Sequence, residues 1–253
     1  MKQWLFNMKG RTTMLKDQIA IITGASRGIG REIAVKLAEQ GMKLTIVGSS
    51  SQIFETADEL KKSGLASITP IQADVSKEED MVNVVKKTIE VYGAVDLLVN
   101  NAGVGFFKLT EEITLEEWKQ VFEVNVQGVF LATKAVLPHM KERKSGTIIT
   151  ISSDVARYTI PNGAAYTATK YAVQGFSGSV AQEVREYGIR VGTINPGMVD
   201  TYFAESTQGL PEKKDWLKVE DIANAVVYMA SAPKHMLIDE IVIHPFAQQY
   251  PIA

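Results

Sequence analysis

The chain contains no cysteine. That one absence excludes disulfides, thiolate metal sites and a cysteine nucleophile, and it suits a reducing compartment. Histidine is nearly as scarce: the three present, His139, His235 and His244, are scattered, with no HExxH or other ligand spacing, so no catalytic metal is expected. Neither sign of charge dominates. With 27 Lys and Arg against 29 Asp and Glu the net charge is −2, which gives no electrostatic case for nucleic acid or an anionic membrane but leaves room for a local anion site. Long apolar runs are missing too. Nothing approaches the ~18 residues of a membrane span, and the opening MKQWLFNMKGRTTM lacks the apolar segment of a secretory signal. The expectation is a cytoplasmic protein whose partner is a small molecule.

What is present is the composition of a globular domain with a sizeable core: 45% hydrophobic and 22% charged residues over 253 positions. Residues 1–13 show no periodicity and read as an N-terminal extension, with Met14 a second possible start; residues 14–253 read as a single domain. Short, β-branched apolar runs recur at 18–23, 43–48, 66–75, 95–100, 146–152, 189–195 and 239–245. Amphipathic stretches of helical length lie between them at about 28–40, 51–63, 77–92, 114–140, 164–187 and 219–230. Continuously apolar strands alternating with helices mean a parallel sheet covered on both faces. The predicted fold class is α/β: a doubly wound, parallel, seven-stranded sheet with helices on both faces, the Rossmann fold.

Ligands of such sheets bind beyond the carboxyl ends of the strands, where the strand order reverses. The segment after the first strand reads TGASRGIG, residues 23–30, with Gly24, Gly28 and Gly30 between strand and helix. Glycine there allows a tight turn and lets backbone N–H groups approach a pyrophosphate at a helix N-terminus. A second feature is AAYTATKYAV at 164–173, which sets Tyr166 and Lys170 one helical turn apart. Such residues share a helix face with Cβ atoms roughly 5–6 Å apart, and an ammonium there is a way to acidify a tyrosine. By itself the same spacing also fits an exposed helix face.

TGASRGIG is followed by NNAG at 100–103, Asn125 in NVQG, ISS at 151–153, YTATK at 166–170 and NPG at 195–197. In this combination and order the chain resembles the short-chain dehydrogenase/reductase family over about 14–245. The resemblance implies hydride transfer between a nicotinamide and a carbonyl or secondary alcohol, with Asn125, Ser153, Tyr166 and Lys170 as the catalytic set. Reduction puts negative charge on the carbonyl oxygen, which then needs a proton donor and a hydrogen-bond partner. By resemblance Tyr166 is that donor and Ser153 the hydroxyl that holds and polarises the carbonyl. Lys170 would lower the phenol's pKa and hold the ribose hydroxyls, and Asn125 would fix a water for proton resupply. Ser152 should point to the other side of its strand, since side chains alternate.

The same resemblance implies cofactor contacts throughout the carboxyl edge. They are Gly24, Ser26, Arg27, Gly28, Ile29 and Gly30 in the glycine turn, and Gly48, Ser49 and Ser50 after the second strand. Asp74 and Val75 follow the third strand, and Asn101, Ala102 and Gly103 the fourth. Tyr166, Lys170, Pro196, Gly197, Val199 and Thr201 complete the set. An NAD enzyme usually places an acid after the second strand to accept from the ribose 2′-OH, and that acid repels a 2′-phosphate. Here Gly48 is followed by three serines, no carboxylate occurs before Glu55, and Arg27 lies in the adjacent turn. NADP(H) is therefore expected, ahead of NAD(H).

The substrate pocket is expected between 104–107, 154–160 and 200–216, with Phe106, Phe107, Tyr158, Tyr202 and Phe203 as an apolar wall and Arg157 the only nearby cation. The resemblance implies a small ketone, 3-oxoacyl compound or 3-hydroxy acid as substrate. Two alternatives share the scaffold: a cofactor-binding regulator without turnover, and an isomerase or epimerase. The helices at 114–140 and 164–187 carry Trp118, Phe122, Val126, Val129 and Phe130, and Ala172, Phe176, Val180 and Val184. In the resembling family these helices pair across a two-fold axis, which implies a homodimer or a homotetramer.

Overall fold

The computed structural model describes residues 15–65 and 67–249; the expected N-terminal extension 1–13 and the end of the C-terminal tail lie outside the described residues. The apolar runs form β1 (Ile19–Thr23), β2 (Lys43–Gly48), β3 (Ile68–Gln72), β4 (Leu97–Asn100), β5 (Gly146–Ile151), β6 (Ile189–Pro196) and β7 (Glu240–Ile243). They make one sheet in the order 3-2-1-4-5-6-7, with every pair parallel. Side chains alternate across a strand, and β1 shows the consequence: Ala20 and Ile22 enter one core, while Ile21 enters the opposite one.

Helices cover both faces. They are α1 (Gly28–Glu39), α2 (Gln52–Lys62), α3 (Glu78–Tyr92), α4 (Leu115–Phe122), α5 (Gly128–Arg143), α6 (Ala164–Val184) and α7 (Val219–Ala230). Ile33 and Leu37 of α1, Ile53 and Leu60 of α2 and Ile222 and Val226 of α7 pack on the first face. Met81 and Val84 of α3, Val136 and Met140 of α5 and Val180 and Val184 of α6 pack on the second. Each such fully buried side chain contributes roughly 1.5–3 kcal/mol, so these six helices are held by their stripes rather than by propensity.

Two details position the site. β1 pairs with β2 on one side and β4 on the other, so successive crossovers leave in opposite directions and a crevice opens at the carboxyl ends of β1 and β4. The stretch expected as one helix over 114–140 is interrupted: α4 and α5 are joined by a single π turn, Glu123–Gln127. Such turns are rare and concentrate at functional sites. Asn125 lies inside this one, buried.

Candidate active site

The first wall of the crevice is the loop from β1 to α1. Arg27 stands at the N-cap of α1 and makes no side-chain cap, so the first N–H groups of the helix are left for another acceptor, and an anion suits them best. Gly30 is required by a close approach: an added Cβ would collide with the Gly24 carbonyl and the Asn101 amide. Asn101 donates both amide hydrogens into this turn, to Thr23 O at 2.9 Å and Gly24 O at 3.0 Å. In return Thr23 Oγ1 accepts from the backbone N–H of Asn101 at 3.0 Å and of Ala102 at 3.1 Å. Expected as a cofactor contact, Asn101 is first a staple between the β1 and β4 loops, and its amide hydrogens are already committed.

A cavity of about 530 Å³ follows the carboxyl edge, lined by Gly24, Ser26, Arg27, Gly28, Ile29, Gly30, Gly48, Ser49, Ser50, Asp74, Val75, Asn101, Ala102, Gly103 and Thr201. A second, of about 620 Å³, is lined by Ser153, Tyr166, Lys170, Pro196, Gly197 and Val199. The two adjoin through Ile29, Asn101, Gly103, Thr201 and Phe203, which line both. Together they have the form an elongated dinucleotide needs, with uncapped amides and glycines at one end and titratable side chains at the other.

At the β2 end, Gly48 admits no side chain, because an added Cβ would collide with Ser26 Oγ and come within 3.2 Å of Ile53 Cβ. Ser49 is exposed and lines the same cavity. Arg27 sits over the Tyr202 ring, 5.2 Å from its centroid. Asp74 is the carboxylate among the described lining residues. Its Oδ1 accepts from the Ser76 hydroxyl at 2.7 Å and the Ser76 N–H at 3.0 Å, and the hydroxyl's bond above all holds the carboxyl below its usual range.

The chemistry-bearing groups meet at the ends of β5 and β6 and the start of α6. Ser153 Oγ donates to Asp154 Oδ1 at 3.1 Å and reaches the Tyr166 phenol. Ser152, expected on the other side of the strand, is buried, and its Oγ has no hydrogen-bond partner among the described residues. Lys170 Nζ donates to Ile151 O at 3.1 Å and lies 5.4 Å from the Tyr166 ring centroid. Lys170 is only 6% exposed, and burial pushes its ammonium down to about 8.

The phenol does not follow the expectation. Burial pushes Tyr166 well above the ordinary tyrosine range; the Ser153 hydrogen bond opposes this, and the negative charge of Asp154 adds to it. Desolvation of the anion is the largest of these causes. Asn125 is hydrogen-bonded within the protein. Its Nδ2 donates to Val104 O at 2.8 Å and Thr169 Oγ1 at 3.1 Å, and its Oδ1 accepts from Val104 N at 2.8 Å. Both amide hydrogens are taken, and the side chain fixes the loop after β4.

The aromatic wall is smaller than expected. Phe107 and Phe203 pack on Tyr166, with ring centroids 6.3 and 5.0 Å away, and Ile160 and Trp216 join them. Tyr202 faces the first cavity instead, Phe106 lies by Lys108, and Tyr158 lies 6.3 Å from His244. Arg157 is turned away, in a two-pronged pair with Glu240. Two lining residues are not singled out by the sequence. Lys213, within the expected 200–216 wall, is buried and donates to Thr201 O at 2.8 Å and Thr207 O at 2.7 Å. Gln248 arrives from the tail, donating to Asp154 Oδ2 at 2.7 Å and accepting from Met198 N at 2.9 Å.

Comparison with known proteins agrees with this geometry. The model of a family described as short chain dehydrogenase matches residues 18–210. An uncharacterized oxidoreductase of Staphylococcus saprophyticus is 35% identical over 232 residues, 91% of this chain and 98% of the relative. Among solved structures, an alcohol dehydrogenase from the archaeon Thermococcus sibiricus complexed with 5-hydroxy-NADP is 36% identical with a TM-score of 0.87, covering 94% of this chain and 100% of that one. A 3-ketoacyl-(acyl-carrier-protein) reductase from Brucella melitensis complexed with NADH is 30% identical with a TM-score of 0.83, covering 90% and 97%.

Proposed function

The chain belongs to the short chain dehydrogenase family, and from that premise we propose that it is an NADPH-dependent oxidoreductase acting on a small ketone, 3-oxoacyl compound or the corresponding alcohol. The observation that carries this reading is the meeting of Ser153, Tyr166 and Lys170 on one cavity that adjoins the glycine turn. When bound, the cofactor supplies or takes the hydride at its nicotinamide ring. The glycine turn, Asp74 and the loop from Pro196 to Thr201 would hold it.

The remaining steps fall to the chain's own groups. Ser153 Oγ and the Tyr166 hydroxyl bind the carbonyl oxygen, and Tyr166 delivers its proton there as negative charge develops. A phenol raised by burial keeps that proton at neutral pH, which is the state a donor requires. The Lys170 ammonium makes the phenolate tolerable once the proton has left. Asn125 grips both backbone groups of Val104 and so places the loop that carries Phe107. Phe107, Phe203 and Ile160 keep water from the reacting atoms.

The test is a panel of acetophenone, cyclohexanone, ethyl acetoacetate and benzaldehyde with NADPH, read by loss of reduced-nicotinamide absorbance. Net consumption is expected with at least one ketone. Tight cofactor binding with no consumption across the panel would replace the reading with a regulator; substrate conversion without net consumption would replace it with an isomerase.

NADP(H) rather than NAD(H) is supported by Arg27, Ser49 and Ser50 on one cavity wall. The similar structures hold an NADP derivative in one case and NADH in the other, so they support a nicotinamide dinucleotide in general. Because a side chain at Gly48 would crowd Ser26 and Ile53, the swap is placed at Ser49. Arg27→Ala with Ser49→Asp removes a cation from the phosphate and supplies an acceptor to the ribose. The ratio of kcat/KM for NADPH over NADH should fall by about 100-fold, the loss of one charge-assisted contact of roughly 3 kcal/mol. A wild-type enzyme that already prefers NADH would overturn the assignment.

Assembly is read from the faces of α4, α5 and α6. Val129, Val180 and Val184, expected at a pairing surface, are buried within the protomer. Leu115, Trp118, Phe130 and Tyr171 are exposed, with Phe130 set edge-on to Phe176 at 6.2 Å. That apolar surface supports a homodimer or homotetramer formed through these helices. Light scattering should give a multiple of the 27.8 kDa chain mass. A monomer mass at micromolar concentration would overturn it.

A further inference from the structure

Asp154 directly follows the candidate catalytic serine and is itself buried. Both of its oxygens are engaged. Oδ1 accepts the Ser153 hydroxyl at 3.1 Å, while Oδ2 accepts from Gln248 Nε2 at 2.7 Å and lies 3.3 Å from His244 Nε2. The anchors come from the segment after β7, which is seated tightly on the site: a Cβ added at Gly197 would collide with the Gln248 amide. Gln248 is in turn held by Met198 N at 2.9 Å. A buried carboxylate is expensive unless it is hydrogen-bonded, and the Ser153 hydroxyl and the Gln248 amide supply one bond to each oxygen.

The consequence lies on the other side of Ser153. Asp154 Oδ1 thereby holds Ser153 Oγ in place on the cavity it shares with the phenol, and the hydroxyl turns its proton to the carbonyl oxygen when substrate arrives. Among the described residues, the charged groups lining the cavity that holds Tyr166 are Lys170 on its own helix, Asp154 on the turn after β5 and Lys213 in the loop after β6, with His244 beyond β7 lying 3.3 Å from Asp154. Of these, Asp154 brings a negative charge, and it acts directly on the phenol.

We propose that Asp154 is a positioning residue for this reaction: its carboxylate, anchored by Gln248, places the Ser153 hydroxyl and sets a negative charge against the phenol, holding the site in its proton-donating form over a wider pH range. This rests on the oxidoreductase reading above. Carbonyl reduction needs the protonated phenol and alcohol oxidation the phenolate, so Asp154 extends reduction to higher pH and delays oxidation.

The experiment uses the ketone of the panel turned over fastest, and its alcohol, in pH profiles of kcat/KM for wild type, Asp154→Asn and Gln248→Ala. In Asp154→Asn the alkaline fall of reduction and the rise of oxidation should both move to lower pH, the direction expected when a like charge is removed. Gln248→Ala keeps the charge but loosens its anchor, so kcat should fall about three- to tenfold with the limbs in place. Near-ultraviolet titration of phenolate, taken as the difference between each enzyme and its Tyr166→Phe counterpart, gives a readout without turnover and should show the same downward move in Asp154→Asn. Unmoved limbs in folded Asp154→Asn overturn the charge effect, and wild-type kcat in Gln248→Ala overturns the anchoring. Should Asp154→Asn fail to fold, the Gln248 arm decides alone. A wild type inactive across the panel would instead defeat the underlying reading, so the two failures are distinct.

Discussion

Tyr166→Phe should lower turnover by about 10²–10⁴-fold, the contribution of a positioned proton donor, while cofactor affinity stays near that of wild type. The substitution deletes one oxygen from a ring that packs between Phe107 and Phe203, so the apolar wall keeps its shape. What is lost is the hydroxyl that Ser153 reaches and that the carbonyl oxygen needs as charge develops on it. The expected pattern is a fall in kcat with little change in the fluorescence titration of NADPH. Near-normal turnover in the purified variant would sink the assignment of the donor, and a parallel loss of cofactor binding would show that the phenol's role is in binding.

The second large effect is expected at Lys170→Met, where activity and stability should part. Removing the ammonium takes away what stabilises the phenolate and should cost turnover about 10²–10³-fold, the size seen for one preorganised donor. Stability should not follow. Burial brings the Lys170 ammonium from near 10.5 down to about 8, which corresponds to roughly 3 kcal/mol against burying the charge. Methionine escapes that, but leaves Ile151 O without its donor at 3.1 Å, which costs about 1–3 kcal/mol. The two nearly cancel, so at pH 7 the variant should melt no lower than wild type.

The pH dependence has a definite sign. Between about 8, where the folded lysine loses its proton, and about 10.5, where the unfolded one does, the unfolded chain binds more protons, so wild-type stability rises with pH. Any advantage of the methionine variant should therefore shrink across that window. Thermal melts at pH 7 and pH 10 measure it. A variant several kcal/mol less stable at pH 7, or a difference that ignores pH, would mean that Lys170 is not carrying a buried charge.

Much of this protein is legible without coordinates because the relevant physics is local. Runs such as QIAIIT and KLTIVG are buried on both faces and must be central parallel strands, and their alternation with amphipathic stretches leaves little choice but a doubly wound sheet. The glycine turn after β1 and the Tyr166–Lys170 spacing are set by a few bonds of chain. Even so, the helix expected over 114–140 hides the π turn at Glu123–Gln127, since one inserted residue barely disturbs a 3.6-residue hydrophobic period.

The sequence by itself determined the sheet, its helices, the glycine turn and the one-turn phenol–ammonium pair, all consequences of periodicity and short-range sterics. Tertiary structure alone decided what surrounds each charge. Arg157 is drawn from the pocket by Glu240, 83 residues away, and Asp154 is anchored by Gln248, 94 residues away. Lys213 is buried by the carbonyls of its own loop, and Tyr166 is raised because its surroundings exclude water from the phenolate. Desolvation and hydrogen-bond completion depend on which distant segments pack together, and residue order along the chain carries no direct measure of that.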